Sequence, residues 1–337
     1  MGLAPGDRAY ELANGFRTSQ LVGLAAQLRI PDLLAEGPLS VEDLGGATGI
    51  DADRLHRVLR GLAGLGVLVE SEDGRFRNTE VGNLFREGVP GSRRALVLMW
   101  LPESYRAWDH LMETMRSGKT GHEIAHGASL WDSLARDADF AARFNQAMVS
   151  GTEGIAEFVA AGSDFSSASV IVDVGGGNGA LAAGVLRAHP HLRAIICDRP
   201  AGLAGTMEYL SRQGVSDRCT TVEADFFETV PMGGDVYLLK NILHDWDDEH
   251  ATLILTACRR AAGRDARILL IERLLPARVT DSPEHLNAVM TDLQMMVQLG
   301  GQERTVADYR MLLEQAGFEF RRSFAGPLYG VVEGVAS

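Results

Sequence analysis

Cysteine is scarce in this chain. Three thiols, Cys197, Cys219 and Cys258, are scattered over 337 residues, two of them within apolar runs. That usage reads as reduced thiols packed in a core and points to a cytoplasmic protein. Long hydrophobic runs are missing too. The longest fall far short of a membrane-spanning helix, and the opening stretch MGLAPGDRAYELANGF lacks a basic-then-apolar export signal. Positive charge is not in excess: 32 Lys and Arg against 45 Asp and Glu leave a net charge of -13, whereas a nucleic-acid partner wants a basic stripe. There is no low-complexity tract and no convincing internal repeat. Neither membrane nor nucleic acid is expected as a partner.

What is present is an ordinary globular composition, 46% hydrophobic, on a chain longer than one typical core requires. Residues 1–100 read as helices followed by a small hairpin. Leu21, Leu24, Ala25 and Leu28 recur at helical spacing; Ser40 with Asp43 opens a short helix; Asp51–Leu62 is amphipathic. Val67–Glu70 and Arg75–Arg77 then flank Glu72-Asp73-Gly74, a hairpin signature. Together they spell a winged helix. Arg54, Arg57 and Arg60 offer a DNA-binding reading, but Asp51, Asp53, Glu70, Glu72 and Asp73 offset them, which favours a packing or dimer module.

Residues 101–165 read as wholly helical. Phe140, Phe144, Ala147 and Met148 share one face, as core between the halves or, at Phe144 and Met148, as the lining of a ligand pocket. From 166 to 337 the pattern changes to short apolar runs alternating with helices. The runs are Val170–Val174, Ala194–Asp198, Thr221–Val222, Val236–Leu239 and Ile268–Glu272, with helices expected near 180–188, 201–213, 247–262 and 306–316. Continuous apolar strands between helices mean a parallel sheet covered on both faces, and the tail can add an antiparallel pair at its edge. The expected class is α/β, a doubly wound Rossmann-like domain behind a mostly helical winged-helix domain.

Such sheets bind ligands beyond the carboxyl ends of their strands. The first strand runs from Asp173 into Gly175-Gly176-Gly177-Asn178-Gly179, where missing Cβ atoms let the backbone turn sharply and approach a ligand. The turn alone also satisfies a dinucleotide fingerprint, with Asp198 at the distance of a ribose-binding acid. Asp173 tilts the choice: a carboxylate there repels a pyrophosphate and welcomes a cationic cofactor, unless it merely caps the turn. Asp225 and Phe226 can bind adenine by an amine contact and a ring face, or be a capping acid beside core aromatics. In the run Lys240-Asn241-Ile242-Leu243-His244-Asp245-Trp246, the histidine stands at a strand terminus facing the cleft. Glu272 and Asp292 are placed to reach it, which is general-base chemistry. Trp246 is either a core aromatic or an adenine-stacking one.

The runs DVGGGNGALA, ADFF, LKNILHDWDDEH and DLQMMVQLGGQERT resemble bacterial small-molecule O-methyltransferases, relatives of the plant caffeic acid O-methyltransferases and of carminomycin 4-O-methyltransferase. The resemblance covers nearly the whole chain, and the ordered set is far more specific than the glycine turn. It implies S-adenosyl-L-methionine as cofactor, S-adenosyl-L-homocysteine as product and a homodimer formed through the N-terminal domain. It further implies that Gly175, Gly176 and Gly177 hold the methionine portion, Asp198 the ribose, and Asp225 and Phe226 the adenine, with Lys240 nearby. His244 takes the place of the general base, flanked by Glu272 and by Asp292, which stands where the plant enzymes usually have a glutamate. Arg143 and Met148 fall on the cofactor side, and Phe144, Asn241, Met290 and Met296 on the acceptor side, of a pocket for a small aromatic natural product. No resident metal is expected, since a second histidine at ligand spacing is missing and Met295 and Met296 fill the facing helix. The competing readings are C-methylation, a non-methylating relative, a ligand-sensing transcription factor and a dinucleotide oxidoreductase.

Overall fold

The computed structural model describes residues 4–150 and 152–337, with the side chains of Trp100, Pro102, Ser150 and Glu153 left aside. The chain divides into two compact units, Met1–Tyr105 with Gln146–Gly151, and Arg106–Asn145 with Thr152–Ser337. Among the described residues no helix is long and apolar enough to cross a membrane.

In the first unit, helices Gly15–Gln27, Ile30–Leu33, Val41–Thr48 and Ala52–Gly64 precede a hairpin of β1 (Leu68–Glu70) and β2 (Phe76–Asn78). Local chemistry sets the boundaries. Ser40 and Asp43 form a reciprocal capping box, Gly49 closes that helix in a left-handed conformation, and Asp51 caps the next. The amphipathic stripe Leu55, Leu59 and Leu62 is fully buried with Ile30, Leu44, Leu68 and Phe76, while Arg54, Arg57 and Arg60 are exposed. The helix Pro5–Ala13 buries none of its residues, and Tyr10, Leu12 and Phe16 are 66%, 65% and 56% exposed.

The second unit is built on a seven-stranded sheet of order β5-β4-β3-β6-β7-β9-β8. Its strands are β3 (Val170–Val174), β4 (Arg193–Asp198), β5 (Cys219–Glu223), β6 (Val236–Lys240), β7 (Arg267–Glu272), β8 (Phe318–Ala325) and β9 (Gly330–Ala336). β3 to β7 are parallel, and the tail hairpin β8–β9 joins β7 antiparallel. Helices cover both faces, so the central strands bury side chains both ways. Val172 and Leu239 pack on one side, and Ile171, Val236 and Leu238 on the other. This explains why those strands read as continuous apolar runs. The one buried acid of β9, Glu333, is held by Arg267 at 3.2 Å and Arg322 at 2.6 Å.

Two expectations are corrected. The helix expected over 201–213 is Thr206–Arg212 only. Gly202 lies against the Asp198 carboxylate, where a Cβ would come 2.5 Å from Cγ, and Gly205 has φ +79°, so the chain first makes turns. The stretch expected to be wholly helical is broken by Gly118 and Gly127, each with φ +72° and ending a short helix.

Candidate active site

The turn after β3 uses glycine for conformation and for space. Gly175, Gly177 and Gly179 have φ of +66°, +54° and +77°. A Cβ on Gly176 would lie 2.7 Å from Asp173 Cγ and 2.8 Å from Ile196 Cγ2, whereas at Gly177 nothing stands within 4 Å. Asp173 is 2% exposed and tucks beneath the turn, where Oδ2 accepts from Ala182 N–H in the following helix at 3.2 Å. Its direct contact is therefore a brace on the turn. Burial raises its carboxyl to about 7. Asp198, at the end of β4, accepts from Gly177 N–H at 2.9 Å and Arg199 N–H at 2.7 Å, and burial raises it as well.

An aromatic wall stands beside this turn. Phe226 Cε1 is 3.5 Å from the Cβ position of Gly175, and Trp246 meets Phe227 edge-on at 4.8 Å and Phe226 at 6.5 Å. Asp225 is exposed and accepts from Phe227 N–H at 3.0 Å. Trp131, which sequence reasoning missed, lies nearly parallel to Trp246, 6.1 Å between centroids and 13° between planes. The Arg199 guanidinium lies 5.6 Å from the Trp131 ring centre, and Phe144 touches it edge-on. Trp131 follows a helix cap at Ser129, and the neighbouring Gly127 and Asp132 mark only the helix boundary, so tertiary proximity alone singles the tryptophan out.

The histidine lies in a short turn, Leu243–Asp245, directly after β6. His244 is 5% exposed, and its Nδ1 is 2.8 Å from Glu303 Oε1, 3.9 Å from Glu272 Oε2, while Nε2 is 3.3 Å from Asp245 Oδ1. Glu272, fully buried at the end of β7, uses Oε1 to accept from Ile242 and Leu243 N–H at 3.1 and 3.0 Å. Asp292 is not the acid on the imidazole: its Oδ1 accepts from Glu303 N–H at 2.9 Å. Glu303 takes that place because Gly300 and Gly301 turn the chain back onto the histidine. A Cβ on Gly301 would sit 2.1 Å from His244 O, so only glycine admits this approach. The signal was present in the GGQERT run, as an acid directly behind a double-glycine turn.

Burial alone lowers His244, but Glu303, Asp245 and Glu272 overcome it and raise the imidazole to about 9. Burial raises Asp245 to about 6 and Glu272 to about 7. Lys240, at the end of β6, is lowered by burial to about 8, with Asp173 and Glu272 opposing. His244, Glu272 and Glu303 turn donor atoms towards one another within 4.8 Å. The 2.8 Å contact is a hydrogen-bond length, so this group is read as sharing a proton.

Of the remaining expected residues, Asn241 adopts φ +54° and donates through Nδ2 to Tyr329 Oη at 3.1 Å. On helix Pro283–Gln298, Met290 is 46% exposed and Met296 partly buried. Arg143 lies 5.7 Å from the Phe140 ring centre. Met148 belongs to the first compact unit.

Residues 108–319 match the O-methyltransferase domain family and residues 10–88 the O-methyltransferase dimerisation domain. The chain belongs to the O-methyltransferases. It is 38% identical over 312 residues, 93% of this chain and 90% of the other, to Phenazine O-methyltransferase PhzM of Lysobacter antibioticus. The crystal structure of LaPhzM superposes with a TM-score of 0.93 at 36% identity, covering 99% of this chain and 100% of that one. NcsB1, an O-methyltransferase from neocarzinostatin biosynthesis solved with S-adenosylmethionine and 2-hydroxy-5-methyl naphthoic acid, gives 0.80 at 30% identity, covering 95% and 96%. Some relatives are N-methyltransferases, one of them acting on phenazine-1-carboxylate.

This O-methyltransferase family uses S-adenosylmethionine, and the cleft fits it on two counts. The space beside Gly177 that a Cβ would fill is open. The acids Asp173, Asp198, Asp245 and Glu272 gather at the strand ends, where a sulfonium and an ammonium are welcome and a pyrophosphate is not.

Proposed function

We propose that this O-methyltransferase methylates a hydroxyl of a small aromatic acceptor with His244 as general base. The observation that carries this reading is the buried imidazole held at Nδ1 by Glu303 at 2.8 Å. That contact assigns the ring orientation and makes Nε2, which has Asp245 Oδ1 3.3 Å away, the ring nitrogen that takes the acceptor's proton. Glu272 shapes the turn beneath the ring by taking the Ile242 and Leu243 N–H groups. Bound S-adenosylmethionine supplies a methyl group on a sulfonium that is already a good leaving group, so the chain's part is alignment, exclusion of water and proton removal. A phenol ionises near pH ~10. His244, raised to about 9, is close to matching that proton affinity once it is itself deprotonated. Turnover accordingly rises with pH towards about 9.

In this reading Asp198 takes the ribose diol, and Phe226, Trp246 and Trp131 take adenine with Asp225 at its edge; the aromatic wall beside the glycine turn supports it. Gly175 to Gly177 admit the methionine portion, near Lys240. The aromatic acceptor class rests on the relatives' phenazine and naphthoate substrates. The free thiols, two of them buried, support a cytoplasmic location. The bare helix Pro5–Ala13 and the dimerisation match support a homodimer, which light scattering showing a monomer overturns.

The deciding experiment is His244→Ala. Turnover of an identified acceptor should fall about 10²–10⁴-fold while calorimetry shows cofactor affinity retained. Unchanged turnover sinks the general-base role. Product analysis separates oxygen from nitrogen as the methylated atom.

A further inference from the structure

Three consecutive residues grip the His244 turn from one side. Gln302 N–H donates to His244 O at 2.9 Å, Glu303 takes the imidazole, and Arg304 takes the backbone around it. The Arg304 side chain is 2% exposed. Its Nη1 donates to Leu243 O and its Nη2 to Trp246 O, both at 2.8 Å, while Nε donates to Asp248 Oδ1 at 2.8 Å. Those two carbonyls bracket His244 and Asp245. Within the turn Leu243 O accepts only a long bond from Trp246 N–H, at 3.3 Å, and one planar guanidinium adds a shorter donor there and a second one to Trp246 O. Asp248, itself 68% exposed, neutralises the buried cation from the solvent side.

We propose that Arg304 is a positioning residue for the methyl transfer: it sets the His244 ring against Glu303 by holding the carbonyls on either side of it. Its kinetic consequence rests on the reading of His244 as base; the positioning itself does not. The groups facing His244 are Glu303, Glu272 and Asp245. Behind them, Lys240 on β6 lies in the field of Glu272 and Asp245, Tyr309 on helix Val306–Gln315 lies in that of Glu272 and Glu303, and Asp292 holds Glu303 N–H. Arg304 touches none of the reacting atoms. A lysine in its place offers one point charge and cannot bridge three acceptors in a plane.

The test pairs Arg304→Lys with Asp248→Asn, each followed by NMR titration of the His244 ring and by steady-state kinetics. Loosening the turn lets His244 draw away from Glu303, so its titration midpoint in Arg304→Lys should fall by about one unit. Asp248→Asn should produce a smaller fall in the same direction. Turnover in Arg304→Lys should drop on the order of tenfold to a hundredfold, the cost of misplacing a reacting group. A merely structural role lowers the melting temperature and leaves the midpoint where it was; that outcome in both variants overturns the proposal. If Arg304→Lys does not fold, the exposed Asp248→Asn variant decides. Should His244→Ala retain turnover, the base reading fails while the NMR midpoint still judges Arg304.

Discussion

The glycine turn and the histidine cluster occupy neighbouring strand ends but are built differently. The turn's supports are near in sequence: Asp173 reaches Ala182 nine residues on, and Gly177 reaches Asp198 twenty-one residues on. The cluster draws His244 and Glu303 together across 59 residues. One is a local conformation that a few glycines make possible, and the other is a meeting of segments that only the sheet arranges. Damage to the first should therefore appear in cofactor binding, and damage to the second in proton transfer.

Changing the cluster is expected to have the larger effect. Glu303→Gln removes the carboxylate closest to the imidazole, so the raised His244 value of about 9 should move back towards its usual ~6.5. A base works in its deprotonated form, so the rise in turnover with pH should shift to lower pH. The plateau should fall on the order of tenfold to a hundredfold, with cofactor affinity unchanged. A pH–rate profile that keeps its midpoint breaks the comparison. At the turn, Gly176→Ala puts a Cβ 2.7 Å from Asp173 Cγ, a strain of about 1–3 kcal/mol. Calorimetry should show cofactor affinity reduced about tenfold, with the midpoint of the pH profile untouched. The smallest effect is expected for Asp292→Ala, which loses one bond to Glu303 N–H worth about 1 kcal/mol. Its rate should drop only a few-fold; a loss equal to that of Glu303→Gln would return Asp292 to the imidazole.

Much of the fold was readable because its determinants are local. Val170–Val174 and the helix over 180–188 stand where their apolar runs placed them, and the Ser40–Asp43 cap forms as its spacing implies. The helix near 201–213 was overextended because Gly202 packs against the Asp198 carboxylate and Gly205 turns the chain at φ +79°, which no periodicity reports. Asp292 and Glu303 show the same limit at the site. Asp292 lies inside helix Pro283–Gln298 and Glu303 in the loop before helix Val306–Gln315, and the sequence offers no distance by which to choose between them.

The order of apolar runs, the glycine turn and the histidine at a strand end were therefore set by the chain alone, since backbone sterics and side-chain period act over a few residues. Which acid meets His244, which aromatic faces Trp246 and which cation holds the turn were decided by tertiary structure. Those contacts depend on where the Gly300-Gly301 reversal and helix Leu130–Arg136 arrive. Their arrival is set by packing on the sheet.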